Sequence, residues 1–529
     1  MSDIPPGDKF RILRSLDGYK EKPGVNGQPP KPKARIFVDG RGQLDELLGD
    51  TYSGVARIES LFAVAGICAH LGLLPFVIDN HMAYTEVVRP ADAPYKYLLL
   101  QKDVTALLVL LQPGFAPFVR NDGSILVELT RMLYGEKNAG AMWYDLLVGE
   151  YNKRGFVINP VDHCVVRYEG PEGICIGVMT VDDTFFIAST PIVKEYTRAM
   201  YTSRFGVEGY AMKEGDHIRH LGMNFEFVRS KRQVVIDQKE FVKEFCMSAG
   251  ITRSYRTPAK DDMFEPAEQS PDLSDHAREN YRSHNMSLMY LATRTYPELL
   301  PVCAVLAGRF LESTEDDRSR LDRAIGYLLA DVDHCLVIRP DSLNLVGSAD
   351  CSYGVHRKGE SHTGHCEGFK GAGDIPDSYF SFGSGRQTIP AKSSTEGELI
   401  SGNKGAEALE WTSMLFDGLG FGPNSPAKMY RNRDISDYAD EDCEVLDPVQ
   451  VPVLYQDNKS AIFLAVMGRG NYRNTKHIRI RYYFIRDLVQ MGRLIIEWVA
   501  SSLMVADLLT KGVTLAVFLT LLPKLIGCR

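Results

Sequence analysis

The stretch Ile174-Cys175-Ile176-Gly177-Val178-Met179-Thr180-Val181-Asp182-Asp183-Thr184-Phe185-Phe186-Ile187 decides how this chain is read. Ile174, Ile176 and Val178 alternate before Thr180, and Phe185, Phe186 and Ile187 follow Asp183. Two strand-forming runs joined by four residues predict a β-hairpin with two adjacent aspartates at its tip. Two carboxylates so placed cannot both be buried without a cation. A divalent metal is the usual partner, and paired metals drive phosphoryl transfer. On the tetrapeptide alone a plain polar turn explains them equally well, because aspartate is common in turns.

Working outward, FVIDNHMAY (76–84) reads as an apolar strand ending at Asp79, with an aromatic residue, Tyr84, five positions later. LYGEKNAGAMWYDLL (133–147) lies between the two aspartate sites. Together these segments resemble the reverse transcriptase of copia-type retrotransposons. That family's pattern is a strand ending in Asp with an aromatic five residues on, then an LYGLKQAPRAWY-like segment, then a V-D-D hairpin. KARIFVDGRGQ (33–43), TYSGVARIESLFAVAG (51–66), HLGMNFEF (220–227) and YRSHNMSLMYLATRTYPEL (281–299) are similar to further segments of that region. The resemblance continues as a copia-type ribonuclease H through LVGSADCSYG (345–354), AKSSTEGELISG (391–402), LYQDNKSAIFLA (454–465), NTKHIRIRYYFIRDLV (474–489) and VADLLTKG (505–512). It covers roughly residues 31–512.

The implied fold is an α+β palm-and-fingers polymerase domain followed by an α/β ribonuclease H-like domain. Residues 1–30, rich in Pro, Gly and charge, are expected to be disordered. Residues 31–255 would form fingers, palm and a small thumb that starts at FVKEFCMSAG (241–250). Residues 256–342 would be a polar linker and helical connection, and 343–529 the ribonuclease H-like domain. A chain of 529 residues is long enough for about three or four domains.

Composition narrows the class. No apolar run is long enough for a membrane span; residues 61–78 come nearest, but His70, Gly72 and Pro75 split them. MSDIPPGDKF at the N-terminus predicts no signal peptide. The ten cysteines form no CxxC pair and no Cys/His cluster at zinc-finger spacing. Reduced thiols in an intracellular protein are expected, in the cytoplasm, in virus-like particles or in the nucleus, with no zinc-binding integrase or nucleocapsid module. The net charge of −8 runs against the basic track a nucleic-acid enzyme needs. The charge is uneven, however. Residues 471–529 hold nine Lys/Arg against three Asp/Glu, while RNRDISDYADEDCEVLDP (431–448), expected to be mobile, is strongly acidic.

The resemblance implies an RNA-directed DNA polymerase with ribonuclease H activity. Its cofactor would be Mg²⁺ or Mn²⁺, and its partners RNA template, DNA primer, RNA–DNA hybrid and deoxynucleoside triphosphates. Asp79, Asp182 and Asp183 would be the polymerase catalytic and metal residues. Arg35, Tyr84 and Asn138 would bind the nucleotide: Arg35 as a bidentate clamp on phosphate, Tyr84 as a plate under the sugar. Read as residues alone, Tyr84 is also a candidate core tyrosine and Arg35 a candidate surface charge. Asp350, Glu398, Asp457 and Asp507 would hold the nuclease metals. Thr395-Glu396-Gly397-Glu398 also reads as a helix capping box, which would give Glu398 a structural task instead. Lys476, His477, Arg479 and Arg481 would meet hybrid backbone, or form a solvated face.

The chain departs from the family pattern in several places. Asn138 stands for Gln, His81 and Met82 for the Lys and Thr of DVKTAF, and Thr180 for Tyr, while residues 90–115 follow the pattern poorly. A decayed, polymerase-inactive copy and a non-catalytic nucleic-acid-binding derivative therefore stand as alternatives.

Overall fold

The computed structural model describes residues 11–22, 29–265, 269–331, 333–422, 428–429, 444–445, 450–467 and 479–527. Apart from residues 444–445, the acidic stretch 431–448 lies outside them.

The strand Gly173–Thr180 is buried at every position. It sits inside a six-stranded sheet in the order Tyr210–Glu214, Leu74–Asn80, Asp183–Ala188, Gly173–Thr180, Val165–Gly170, Val157–Ile158. Its neighbours are all antiparallel. Both faces of this sheet are covered. Val77, Ile176, Val178, Phe185 and Ile187 pack on the side of the helix Ile58–Leu71. Phe76, Cys175 and Phe186 pack with Trp143 and Tyr151 of the helix Ala139–Lys153 and Tyr201 of the helix Pro191–Phe205. A strand apolar on both faces reads as a continuous hydrophobic run, which is why the sequence around Thr180 looks as it does.

An N-terminal sheet orders the strands Lys31–Val38, Ile12–Lys22, Tyr97–Leu100 and Ile125–Glu128. The expectation of disorder over residues 1–30 needs correcting here. Residues 12–22 form a strand paired with Lys31–Val38 on one side and with Tyr97–Leu100 on the other. Leu13 and Ser15 are buried, so the segment gains both backbone bonds and apolar contact from partners that its own Pro- and Gly-rich surroundings do not reveal. Residues 90–115 supply the strand Tyr97–Leu100 and the helix Lys102–Leu111.

A third sheet joins His217–His220, Met223–Val228 and Gln233–Asp237 to the strand Leu336–Ile338. Between these lie the helices Lys239–Ala249, Asp275–Ala292, Leu300–Ala307 and Glu315–Leu328. The stretch expected to connect two domains thus ends by completing the sheet of the first. The C-terminal sheet runs Ser378–Arg386, His362–Phe369, Leu345–Ser352, Val453–Gln456, Ile495–Trp498. Its first three strands are antiparallel and the last two join in parallel. The helix Ser394–Gly418 packs on its centre, and the helices Lys459–Met467 and Arg479–Gln490 follow.

Candidate active sites

The two aspartates of the hairpin are held by backbone before their side chains meet anything. Val181 has a left-handed backbone, φ 48°, which turns the strand in a tight loop. The indole Nε1–H of Trp143 donates to the Val181 carbonyl at 2.7 Å. The backbone N–H of Asn80 donates to the Asp182 carbonyl at 2.8 Å, and its side-chain amide does so at 3.1 Å. Asp79 and Asp183 are direct cross-strand partners. That register places their Cβ atoms roughly 4.5–5.5 Å apart.

Electrostatics at this tip are those of crowded carboxylates. Burial, with the charges of Asp79 and Asp182, pushes Asp183 up to about 6. Burial and Asp79 also raise Asp182, while Arg35, the Tyr134 hydroxyl and Lys33 pull it back. One oxygen of Asp182, Oδ1, is buried without a hydrogen-bond partner. An orphaned carboxylate oxygen beside two further carboxylates is what a hard cation would satisfy.

The aromatic Tyr84 packs against Tyr134, with ring centroids 4.6 Å apart and the rings tilted by 42°. The guanidinium of Arg35 lies 5.4 Å from the Tyr134 ring centre. Arg35, Tyr134, Tyr84 and Asp182 therefore form one cluster. Tyr134 was not singled out from the sequence, because a tyrosine in LYGEKNA carries no signal of its direction. Asn138 is placed differently. It stands at the N-cap position of the helix Ala139–Lys153 without a side-chain capping bond, and its amide donates to Met142 Sδ at 3.7 Å. It lines a cavity that none of Asp79, Asp182, Tyr84 and Tyr134 lines.

The C-terminal carboxylates come together more closely. Asp350 lies in the central strand Leu345–Ser352, Glu398 in the first turns of the helix Ser394–Gly418, and Asp457 just after the strand Val453–Gln456. One ligand oxygen from each lies within 4.8 Å of the others. Among the described residues this is the one set of three that meets that limit. Glu398 is pushed up to about 9 by burial, then by Asp350 and Asp457. Its Oε2 is buried without a partner. Three converging carboxylates, two of which push up the third, and that third with an orphaned oxygen, are a fit for divalent metal.

The cap reading of Glu398 is corrected by the same helix. Ser393 is the N-cap, and its hydroxyl accepts from the Glu396 N–H at 3.2 Å. Glu396 in turn accepts from the Lys392 N–H at 2.8 Å. Capping falls two residues earlier than Thr395–Glu398, which leaves Glu398 with the carboxylate cluster instead.

Asp507 adjoins that cluster through a lysine. Lys511 Nζ is 2.7 Å from Asp507 Oδ1 and 3.7 Å from Asp350 Oδ2. Thr510 donates to Asp350 at 2.5 Å, and Ser501 donates to Asp457 at 2.7 Å. Asp507 is pushed up to about 7 by burial and by Asp350, against the pull of Lys511. Lys476 and His477 lie outside the described residues, while Arg479 and Arg481 fall on the helix Arg479–Gln490. All eight described cysteines are buried free thiols. No described helix is long and apolar enough to cross a membrane.

No protein-family model matches the chain. It is 25% identical over 523 residues to the retrovirus-related Pol polyprotein from transposon RE2 of Arabidopsis thaliana, covering 97% of this chain and 32% of that protein. It is 24% identical over 531 residues to the corresponding polyprotein of transposon RE1 of the same plant, covering 98% and 32%. With transposon TNT 1-94 of Nicotiana tabacum it shares 23% identity over 522 residues, covering 97% and 35%. The chain thus spans about a third of the length of the curated relatives it matches. Among solved structures, ribonuclease H1 of Halobacterium salinarum NRC-1 matches with a TM-score of 0.20 and 14% identity, over 32% of this chain and 94% of that one. The prototype foamy virus protease–reverse transcriptase matches with a TM-score of 0.25 and 12% identity, over 95% of this chain and 52% of that one. The homologues of this chain, at 23–25% identity over nearly its whole length, are retrovirus-related Pol polyproteins from transposons, the copia-type group its motifs resemble.

Proposed function

We propose that this chain is an intracellular RNA-directed DNA polymerase with ribonuclease H activity, using divalent metal at two separate sites. The observation that carries the reading is the cluster of Asp350 and Glu398, both buried, with half-buried Asp457, and its orphaned Glu398 oxygen. Bound Mg²⁺ or Mn²⁺ would lower the pKa of the attacking oxygen and neutralise the leaving one. The chain's own residues do the rest. Thr510 and Ser501 fix the rotamers of Asp350 and Asp457. Lys511 holds positive charge beside Asp507 and Asp350, where an RNA strand's phosphate would approach. At the hairpin, Asp79, Asp182 and Asp183 would hold the polymerase metals, with Arg35 on the triphosphate and Tyr84 under the deoxyribose. The two proposed domains are residues 12–255 with the connection 256–342, and residues 343–529, the first now taking in the strand Ile12–Lys22.

A second reading has its own support. Among the described residues the hairpin aspartates do not gather as tightly as the C-terminal three, and Asn138 does not face them. A nuclease-competent copy that has lost its polymerase fits those facts. Primer extension and hybrid cleavage on the purified chain, each with Mg²⁺ and with chelator, decide between them. Both activities with metal support the bifunctional enzyme, cleavage alone supports the decayed polymerase, and neither activity rejects both.

A further inference from the structure

One of the chain's three tryptophans is open to solvent, and it stands beside the C-terminal carboxylates. Trp143 is 1% exposed and Trp411 is half-buried with the Arg57 guanidinium over its ring, whereas Trp498 is 52% exposed. Tryptophan is highly buried on average, and this one is not. It ends the strand Ile495–Trp498 at the edge of the C-terminal sheet. Its Nε1–H donates to the Asp457 carbonyl at 3.0 Å, which ties the ring to the carboxylate cluster. Ser501, three residues on, holds the Asp457 carboxylate itself at 2.7 Å.

Lys459 completes the surface. It opens the helix Lys459–Met467, two residues past Asp457, and its Nζ lies over the Trp498 ring, 4.6 Å from the centre. Among the described residues no carboxylate pairs with it. Phe463 follows one helical turn later on the same face and is as exposed as Trp498. Glu497 precedes Trp498 in the strand, and alternation sends it to the other face of the sheet. An unpaired cation beside two open aromatic rings suits a nucleic-acid strand, which offers phosphate to the one and flat sugar or base to the other.

Position narrows what lies there. Phosphates recur about every 3.4 Å of axis along one strand. A strand with its cleaved phosphate at Asp350, Glu398 and Asp457 brings a neighbouring nucleotide within reach of a ring bonded to Asp457. In a hybrid the bases are paired inside, and a wide, shallow minor groove displays sugars instead. We infer that Trp498 and Lys459 hold the RNA strand next to the cleaved bond. The indole packs on the ribose of an adjoining nucleotide, and the Lys459 ammonium pairs with a phosphate of the same strand. This inference rests on the nuclease reading of the carboxylate cluster and assigns the strand contact to residues other than Arg479 and Arg481.

The test uses the full chain and a short RNA–DNA hybrid, with Ca²⁺ in place of Mg²⁺ so that the hybrid stays intact. Acrylamide quenching reads Trp498 as the difference between the parent and Trp498→Phe. Hybrid should shield that component and leave the quenching of Trp498→Phe unchanged. Trp498→Ala should weaken hybrid binding about tenfold, the scale of one aromatic stack lost. Lys459→Met keeps an alkyl chain over the ring and removes the charge. It should lower the slope of log Kd against log salt by about one at an unchanged melting temperature, a shift that a merely structural lysine does not produce. Hybrid cleavage by the parent in Mg²⁺, with no shielding of Trp498 and an unchanged salt slope in Lys459→Met, overturns the inference and leaves the nuclease reading standing. A parent that neither binds nor cleaves hybrid overturns both. Shielding of Trp498 that grows with protein concentration and ignores hybrid gives the surface to a second copy of the chain and overturns the inference as well.

Discussion

In the proposed nuclease site, Glu398 is the residue at which stability and chemistry pull against each other. Its carboxyl has an ordinary value of 4.5 and sits at about 9 in the fold. Below pH 4.5 it is protonated both folded and unfolded, so it contributes nothing to the difference. Between about 4.5 and 9 the folded state holds a proton that the unfolded state has released. Stability therefore falls as pH rises through that window and levels off above it. Asp507 and Asp183, raised to about 7 and 6, add the same sign over narrower ranges. Metal-free protein should thus melt progressively lower from pH 5 to pH 9, and millimolar Mg²⁺ should reverse part of that loss at pH 8. Glu398→Gln should raise the metal-free melting temperature at pH 8, flatten the pH profile, and cut hybrid cleavage by about 100-fold or more, as loss of one preorganised electrostatic group does. A variant that melts lower than the parent at pH 8 would show that Glu398 is held ionised by contacts inside the fold. At the hairpin cluster, Tyr84→Ala should raise ribonucleotide use relative to deoxynucleotide use in primer extension, by roughly 10–1,000-fold if a clash of a few kcal/mol is removed. The ratio of kcat/KM for the two sugars reads this, and an unchanged ratio would make Tyr84 packing for Tyr134 and nothing more. At this scale much was legible. Two adjacent aspartates on a hairpin and carboxylates after apolar strands announce themselves. Tyr134 and the Asn138 cavity did not, because side-chain direction at the start of a helix depends on its neighbours in space.

The hairpin element stores strain where its carboxylates are presented. Val181 is β-branched and partly exposed, yet holds a left-handed φ of 48°. Such a backbone is disfavoured for a branched side chain, at a cost of order 1–3 kcal/mol. Trp143 and Asn80 hold it there by gripping the Val181 and Asp182 carbonyls. Val181→Gly should therefore stabilise the protein by about 1 kcal/mol in urea unfolding, since glycine adopts this conformation freely. A loss of stability would mean that the exposed valine side chain contributes more than its backbone costs. The strands around the turn were readable because their apolar runs are long and covered on both faces. The strand Ile12–Lys22 was not, because its partners Lys31–Val38 and Tyr97–Leu100 lie elsewhere in the chain and its flanks are rich in turn formers. The cap of the helix Ser394–Gly418 was misplaced for a related reason. Ser393, Ser394 and Thr395 are three consecutive cap candidates, and only the helix axis decides among them.

Across the whole molecule, the two carboxylate sites sit on segments that share one continuous core. Gly66 of the helix Ile58–Leu71 faces Phe369 and Ile338 so closely that an added Cβ would lie 2.4 Å from the Phe369 ring. Asn159 donates to the Leu415 carbonyl at 2.9 Å, and the Arg57 guanidinium lies 4.4 Å from the Trp411 ring centre. None of this was visible in the order of motifs, because the contact is made by glycines and by single residues hundreds of positions apart. Two proposed chemical sites on one shared core should separate chemically but not mechanically. Asp457→Asn removes a carboxylate from the C-terminal set, at a half-buried position, and should abolish hybrid cleavage while leaving primer extension and the melting temperature near the parent values. Phe369→Ala empties the shared core and should cost about 3–5 kcal/mol, the usual range for a buried phenylalanine. Hydrogen exchange at the strand Gly173–Thr180 and at the strand Leu345–Ser352 reports the two regions separately. Both should lose protection together in Phe369→Ala and neither in Asp457→Asn. If Phe369→Ala loosens only the strand Leu345–Ser352, the segments fold as independent domains and the shared core carries no cooperativity between them.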